Sequence, residues 1–141
     1  MASLFGLGPV PRPVKSMLRP LAISASGMSA QQRSLETISA NIANAETTRT
    51  AEGGPYKRRV AVMEQDGKNG VRVQKVVEDT SKGSLIYEPG HPDADANGFV
   101  LKPNVDIASE IVDLMIARRV HEANATVFQA AKAMLRRALD I

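Results

Sequence analysis

The stretch NVDIASEIVDLMIARRVHEANATVFQAAKAMLRRALDI, residues 104–141, decides the fold. No proline and no glycine follows Pro103, so nothing interrupts a helix there. Asn104 or Asp106 offers a short side-chain oxygen able to accept a hydrogen bond from an N–H of the first turn. From Ile116 onward, a 4-3 spacing picks out Ile116, Val120, Ala123, Val127, Ala130, Met134, Arg137 and Ile141, and seven of these eight are apolar. Side chains so spaced form the narrow seam of a coiled coil. Upstream, Ile107, Ala108, Ile111, Val112, Leu114 and Met115 widen the apolar face. A helix of this length is a rod of about 50 Å, too long to sit around a small core, and it calls for a partner helix.

That partner is expected at the other end of the chain. Leu21, Met28, Leu35 and Ile42 recur every seven residues, with Ser24, Gln31, Ile38 and Ala45 between them. This segment, rich in Ser and Ala, is a weak helix alone and gains stability chiefly by packing. Ahead of it, Gly6, Gly8, Pro9, Pro11, Pro13 and Pro20 predict a flexible leader over residues 1–20. Residues 47–103 change character. Tyr56 to Met63 reads as a strand with Val60 and Val62 on one side, and Gln65 to Gly70 reads as a turn. Val71, Val73 and Val76-Val77 continue as a second strand. Short apolar runs at Leu85–Tyr87 and Phe99–Leu101 flank a Pro/Gly loop. The expected architecture is α+β: helices over 21–46 and 104–141 pairing as a coiled coil, with a β-rich insertion of three or four strands between them.

Composition bounds the function. Five aromatic residues and no tryptophan make a large aromatic core impossible, although 43% hydrophobic content argues against disorder. The absence of cysteine removes disulfides, thiolate nucleophiles and Cys-based metal sites. No apolar run approaches the roughly 20 residues that span a bilayer. The apolar core Leu4–Leu7 is too short for a secretory signal. Of the net charge of +3, the first 35 residues carry +4 and the rest −1, so the folded body lacks the basic excess of a nucleic-acid binder.

Chemistry-bearing motifs are sparse. His91, Asp93 and Asp95 fall in a Pro/Gly loop, where such residues more commonly shape turns than hold a metal. His121-Glu122 lacks a second histidine at helical spacing, and Asn124-Ala-Thr126 lies mid-helix, where glycosylation is not expected. There is no glycine-rich phosphate loop and no nucleophile elbow, so no cofactor, metal, catalytic residue or small-molecule substrate is expected.

The run Ser39-Ala-Asn41-Ile-Ala-Asn44-Ala-Glu-Thr47-Thr48 resembles the N-terminal signature of bacterial flagellar rod and hook proteins. Glu110 to Met115, followed by Glu122-Ala123-Asn124, is similar to the matching C-terminal signature. Gly54-Pro55-Tyr56 and the segment from Tyr87 to Val105 resemble proximal rod proteins in particular. The resemblance covers residues 20–141, and its motifs keep their order. It departs from the family in a longer leader and in His121, where an aromatic such as tyrosine is common. It implies a structural subunit of the proximal rod, with no enzymatic activity, in a helical tube that transmits motor torque. The implied partners are further copies of itself, other rod proteins and the flagellar type III export apparatus, through which the chain passes without a cleaved signal to a periplasm-spanning rod. The implied subunit contacts are Leu21, Met28, Leu35, Ile38, Asn41, Ile42 and Asn44 on the first helix, with Ile116, Val120, Glu122, Ala123, Asn124, Val127 and Met134 on the second. Another rod protein of the family, or a stand-alone helical-hairpin binding module, is the competing reading. A module would close its hairpin within the chain, whereas a rod subunit would order its termini on assembly.

Overall fold

The computed structural model describes residues 8–9, 11–67 and 70–140. Its elements run α1 (Arg12–Ala43), β1 (Arg59–Gln65), β2 (Val71–Glu78), β3 (Leu85–Tyr87), β4 (Phe99–Leu101) and α2 (Ile107–Leu139). The two helices pack on each other, and α1 also carries the β1–β2 hairpin. The α+β class and the paired terminal helices therefore stand as read from the sequence.

Over residues 12–20 the leader does not. Helix α1 starts at Arg12, nine residues before the expected Leu21, and takes in that part of the proline-rich segment. Pro11 is the N-cap and Pro13 lies in the first turn, where a missing N–H costs nothing because that donor has no helical acceptor. Only Pro20 lies inside the helix. The carbonyl of Pro20 accepts the Ser24 hydroxyl at 2.7 Å, which gives the buried Ser24 side chain its partner. Of the rest of the expected leader, Gly8, Pro9 and Pro11 are non-helical, and residues 1–7 and 10 lie outside the described residues.

The insertion folds as two separate antiparallel hairpins. In the first, Arg59 pairs with Glu78 and Gln65 with Val71, with a register shift between Val62 and Met63 that leaves Gln74 as the extra residue. The expected start at Tyr56 moves to Arg59, because the Tyr56 N–H donates instead to the Thr47 carbonyl at 2.9 Å. Gly67, at φ 63°, makes the turn; Lys68 and Asn69 lie outside the described residues. In the second hairpin, Leu85 pairs with Leu101 and Tyr87 with Phe99. Val100, facing the other way, is fully buried.

Helix α2 begins at Ile107. Asp106 occupies its N-cap, and the Ser109 hydroxyl donates to the Asp106 carboxylate at 2.6 Å. Asn104 has a different task. Its carbonyl oxygen accepts the Arg58 N–H at 2.7 Å, and its amide donates to the carbonyls of Asp79 and Ser81. It thereby pins both open ends of the first hairpin to the start of α2.

Candidate assembly interface

Interior side chains here are mostly small or polar. The largest fully buried side chains are Glu110, Val100, Asn41 and Ser24, three of them polar. Burying such groups is tolerable only when each is hydrogen-bonded. Asn41 satisfies that condition completely. Its amide donates to the Arg59 carbonyl at 2.8 Å and to Glu110 Oε2 at 3.0 Å. Its oxygen accepts the Tyr56 hydroxyl and the Arg59 N–H, both at 2.9 Å. Glu110 is in turn paired with the Arg58 guanidinium, which also reaches Asp113 at 3.5 Å and Asp79 at 3.8 Å. The hydrogen bond to Glu110 raises the Arg58 pKa further, and burial raises that of Tyr56. One clasp thus fastens α1, β1 and α2 together, and it fixes the register of the helix pair.

From Glu110 the face of α2 turned to α1 advances by strict 4-3 steps: Leu114, Ala117, His121, Asn124, Phe128, Ala131, Leu135 and Ala138 are its least exposed positions. This corrects the expected pairing through Ile116, Val120, Ala123, Val127, Ala130 and Met134, which lies one residue back around the helix. The physical reason is the buried clasp. Glu110 meets Asn41 and Arg58 inside the fold, and 4-3 steps from Glu110 carry Ala117, Asn124 and Ala131 onto the same face. A β-carbon on Gly27 would stand 2.6 Å from Asn124 Nδ2, so the helices meet closely on that line.

The displaced positions face outward. Ile116 is 56% exposed, Val127 49% and Met134 52%, with Val120 and Ala123 beside them. Ile116 and Val120 also edge a groove of about 210 Å³ between α1, β1 and α2. On α1, Leu21, Met28, Leu35 and Ile42 are half-buried flanks of the seam, while Ile38 is buried.

The expected polar contacts divide differently. Asn41, expected between subunits, is wholly consumed inside the chain. Asn44 closes the end of α1: its amide donates to the Ala40 carbonyl at 2.8 Å, and its oxygen accepts the Thr47 hydroxyl. Asn124 covers Gly27, leaving Glu122 exposed on the outer face of α2. The loop residues act as turn formers. Asp95 accepts the N–H groups of Asn97 and Phe99, both at 2.9 Å, and Asp93 accepts the Thr48 hydroxyl at 2.7 Å. Sequence reasoning missed Glu110 as the buried anchor; the available signal was one acid at the head of an otherwise apolar helix face.

The helix pair matches known proteins at both ends. Residues 21–49 fit the family described as flagella basal body rod protein. Residues 96–141 fit the flagellar basal body rod FlgEFG protein C-terminal family. The flagellar basal-body rod protein FlgC of Bacillus subtilis is 39% identical, over 86% of this chain and 95% of its own length. This chain belongs to the FlgC family. The FlgC proteins of Salmonella typhimurium, 36% identical over 89% of this chain and 98% of their own, and of Borreliella burgdorferi, 37% identical over 84% and 93%, agree. As a FlgC-family member, the chain is a structural subunit of the flagellar basal-body rod. Within that FlgC frame, the clasp holds the subunit together, and the outward stripe is a surface the subunit itself does not use.

Proposed function

We propose that the subunit enters the rod by packing the α2 stripe, Ile116, Val120, Ala123, Val127 and Met134, against helices of neighbouring rod proteins and further copies of itself. The observation that carries this is the stripe's position. It keeps coiled-coil spacing yet lies beside the seam that α1 already fills. The assembly surface is then a second face of a finished hairpin, with the half-buried Leu21, Met28, Leu35 and Ile42 contributing their outer edges and Asn44 and Glu122 polar contacts. Repetition of such a heterologous contact builds an open helical array. Exposed apolar stripes of this kind mark interaction sites rather than catalytic ones, and the subunit's role is mechanical.

The subunit reaches a periplasm-spanning rod through the flagellar type III export apparatus and keeps its N-terminus. The support is the short apolar run at Leu4–Leu7, unlike a cleavable signal. The deciding experiment is Val127→Asp in cells whose own copy is deleted. Motility and rod assembly are expected to be lost, while the variant is still exported and the purified variant keeps wild-type helicity. Normal flagella from these cells would overturn the reading.

A further inference from the structure

Antiparallel pairing in one register sets Asn41 beside Glu110 and Gly27 beside Asn124. Each step along α1 is matched by one step back along α2, so Arg12 comes level with Leu139 and Lys15 with Arg136. The two helices therefore end together in a common tip. From Arg12 to Met28 and from Ala123 to Asp140, that tip holds six basic residues and a single acid, Asp140. Leu18 and Leu139 are exposed on it. Residues 36–122, which contain the whole β region, hold fourteen acids against eleven bases. The molecule is electrically polar along its length.

The opposite end offers a matching surface. Cross-strand pairing puts Leu85, Tyr87, Phe99 and Leu101 on one face of the β3–β4 hairpin, since Leu85 lies opposite Leu101 and Tyr87 opposite Phe99. Leu85 is 64% exposed and Tyr87 63%, and the Tyr87 and Phe99 rings meet edge to face at 5.3 Å. Acids outnumber bases around this apolar plate, by a small margin. Glu46 and Glu88 share Lys102, at 3.1 and 3.5 Å, and Asp93 is paired with Arg49. Asp95 accepts the N–H of Phe99, and Lys82 precedes β3. The plate is thus weakly acidic at its rim and the tip strongly basic.

We propose that the plate receives the helical tip of a second copy of this chain, in a head-to-tail contact. The charge complementarity selects this occupant: a plate-to-plate dimer would oppose carboxylate to carboxylate, and a tip-to-tip dimer cation to cation. A heterologous contact of this kind does not close on itself, so it propagates. The proposal names a partner surface within the assembly role above and rests on that role for its setting. It is tested on purified protein, independently of motility.

The experiment is sedimentation velocity on the full chain across a concentration series, at about 0.01 M and about 1 M salt, where the screening length falls from about 30 Å to about 3 Å. Association is expected at low salt and is expected to weaken at least tenfold at high salt. Lys15→Glu with Arg136→Glu alters the tip, and Tyr87→Ser with Leu101→Ser alters the plate. Each double variant alone should lose the salt-sensitive association. Their mixture should regain it in pairs only, because each mixed pair retains one intact plate and one intact tip. Should the glutamates unfold the tip, as judged by helicity, Lys15→Gln with Arg136→Gln gives the same ordering with a smaller loss. A wild-type chain that stays monomeric at low salt would overturn the proposal, as would a tip variant that associates like the wild type. Binding of the tip to phosphatidylglycerol vesicles without self-association would also overturn it. Association lost in Val127→Asp but kept in both double variants would remove the plate while sparing the α2 stripe.

Discussion

Gly27 and Asn124 set the closeness of the helix pair: a β-carbon on residue 27 would lie 2.6 Å from Asn124 Nδ2 and 3.0 Å from its Cγ. A mid-helix glycine costs about 1 kcal/mol in propensity relative to alanine. Here the bare backbone lets the amide lie flat against α1. Gly27→Ala should therefore destabilise the chain by about 1 kcal/mol despite its better propensity, because overpacking exceeds the gain. Asn124→Ala in the same chain should restore stability beyond the sum of the single changes. A double-mutant cycle in urea measures this coupling, and additivity would mean that the contact is not a constraint.

Asn41 and Tyr56 test the clasp by rank. Asn41→Ala strips partners from the Tyr56 hydroxyl, the Arg59 backbone and Glu110 together. Leaving several buried polar groups unmet should cost about 3 kcal/mol. Tyr56→Phe removes one hydrogen bond and should cost about 1 kcal/mol. Chemical unfolding of both variants gives the order, and equal losses would show that Asn41 is not the centre of the network.

Acid should loosen the chain through the loop beside α1. The Thr48 hydroxyl, with Arg49, holds Asp93 below the usual carboxylate pKa; the Ser81 N–H does the same for Asp79, and the Ser109 hydroxyl for Asp106. A depressed folded pKa means the contribution is present above the unfolded value, about 3.9, and is lost as pH falls through the folded one. Asp93→Asn should flatten the fall of the thermal midpoint below about pH 4. An unchanged slope would place the acid sensitivity elsewhere.

The helices and strands were legible because their signals are local. The uninterrupted run after Pro103 and the alternating valines from Val71 need no knowledge of the fold. Which face of α2 meets α1 was not legible, since two heptad lines run one residue apart and the more apolar line is the outer one. The buried clasp chose between them, because Glu110 heads the inner line and meets Asn41 inside the fold. Glu110 was invisible for a related reason: Asn41, which receives it, lies 69 residues away. A count of prolines does not show where they sit, and Pro11 and Pro13 stand where a helix begins, so residues 12–20 are helical.

The pairing of Gly27 with Asn124 has a consequence in time. A chain growing from its N-terminus makes α1 first and the β1–β2 hairpin that packs on it next, but the helix that covers its seam comes last. The β1–β2 hairpin closes over a short turn and can form early, on the scale of microseconds. The helix pair must wait for residues nearly a hundred positions away and form by a slow, long-range search. Until α2 is complete, α1 remains a weak helix without its partner, and the molecule becomes a rod only with its final turns.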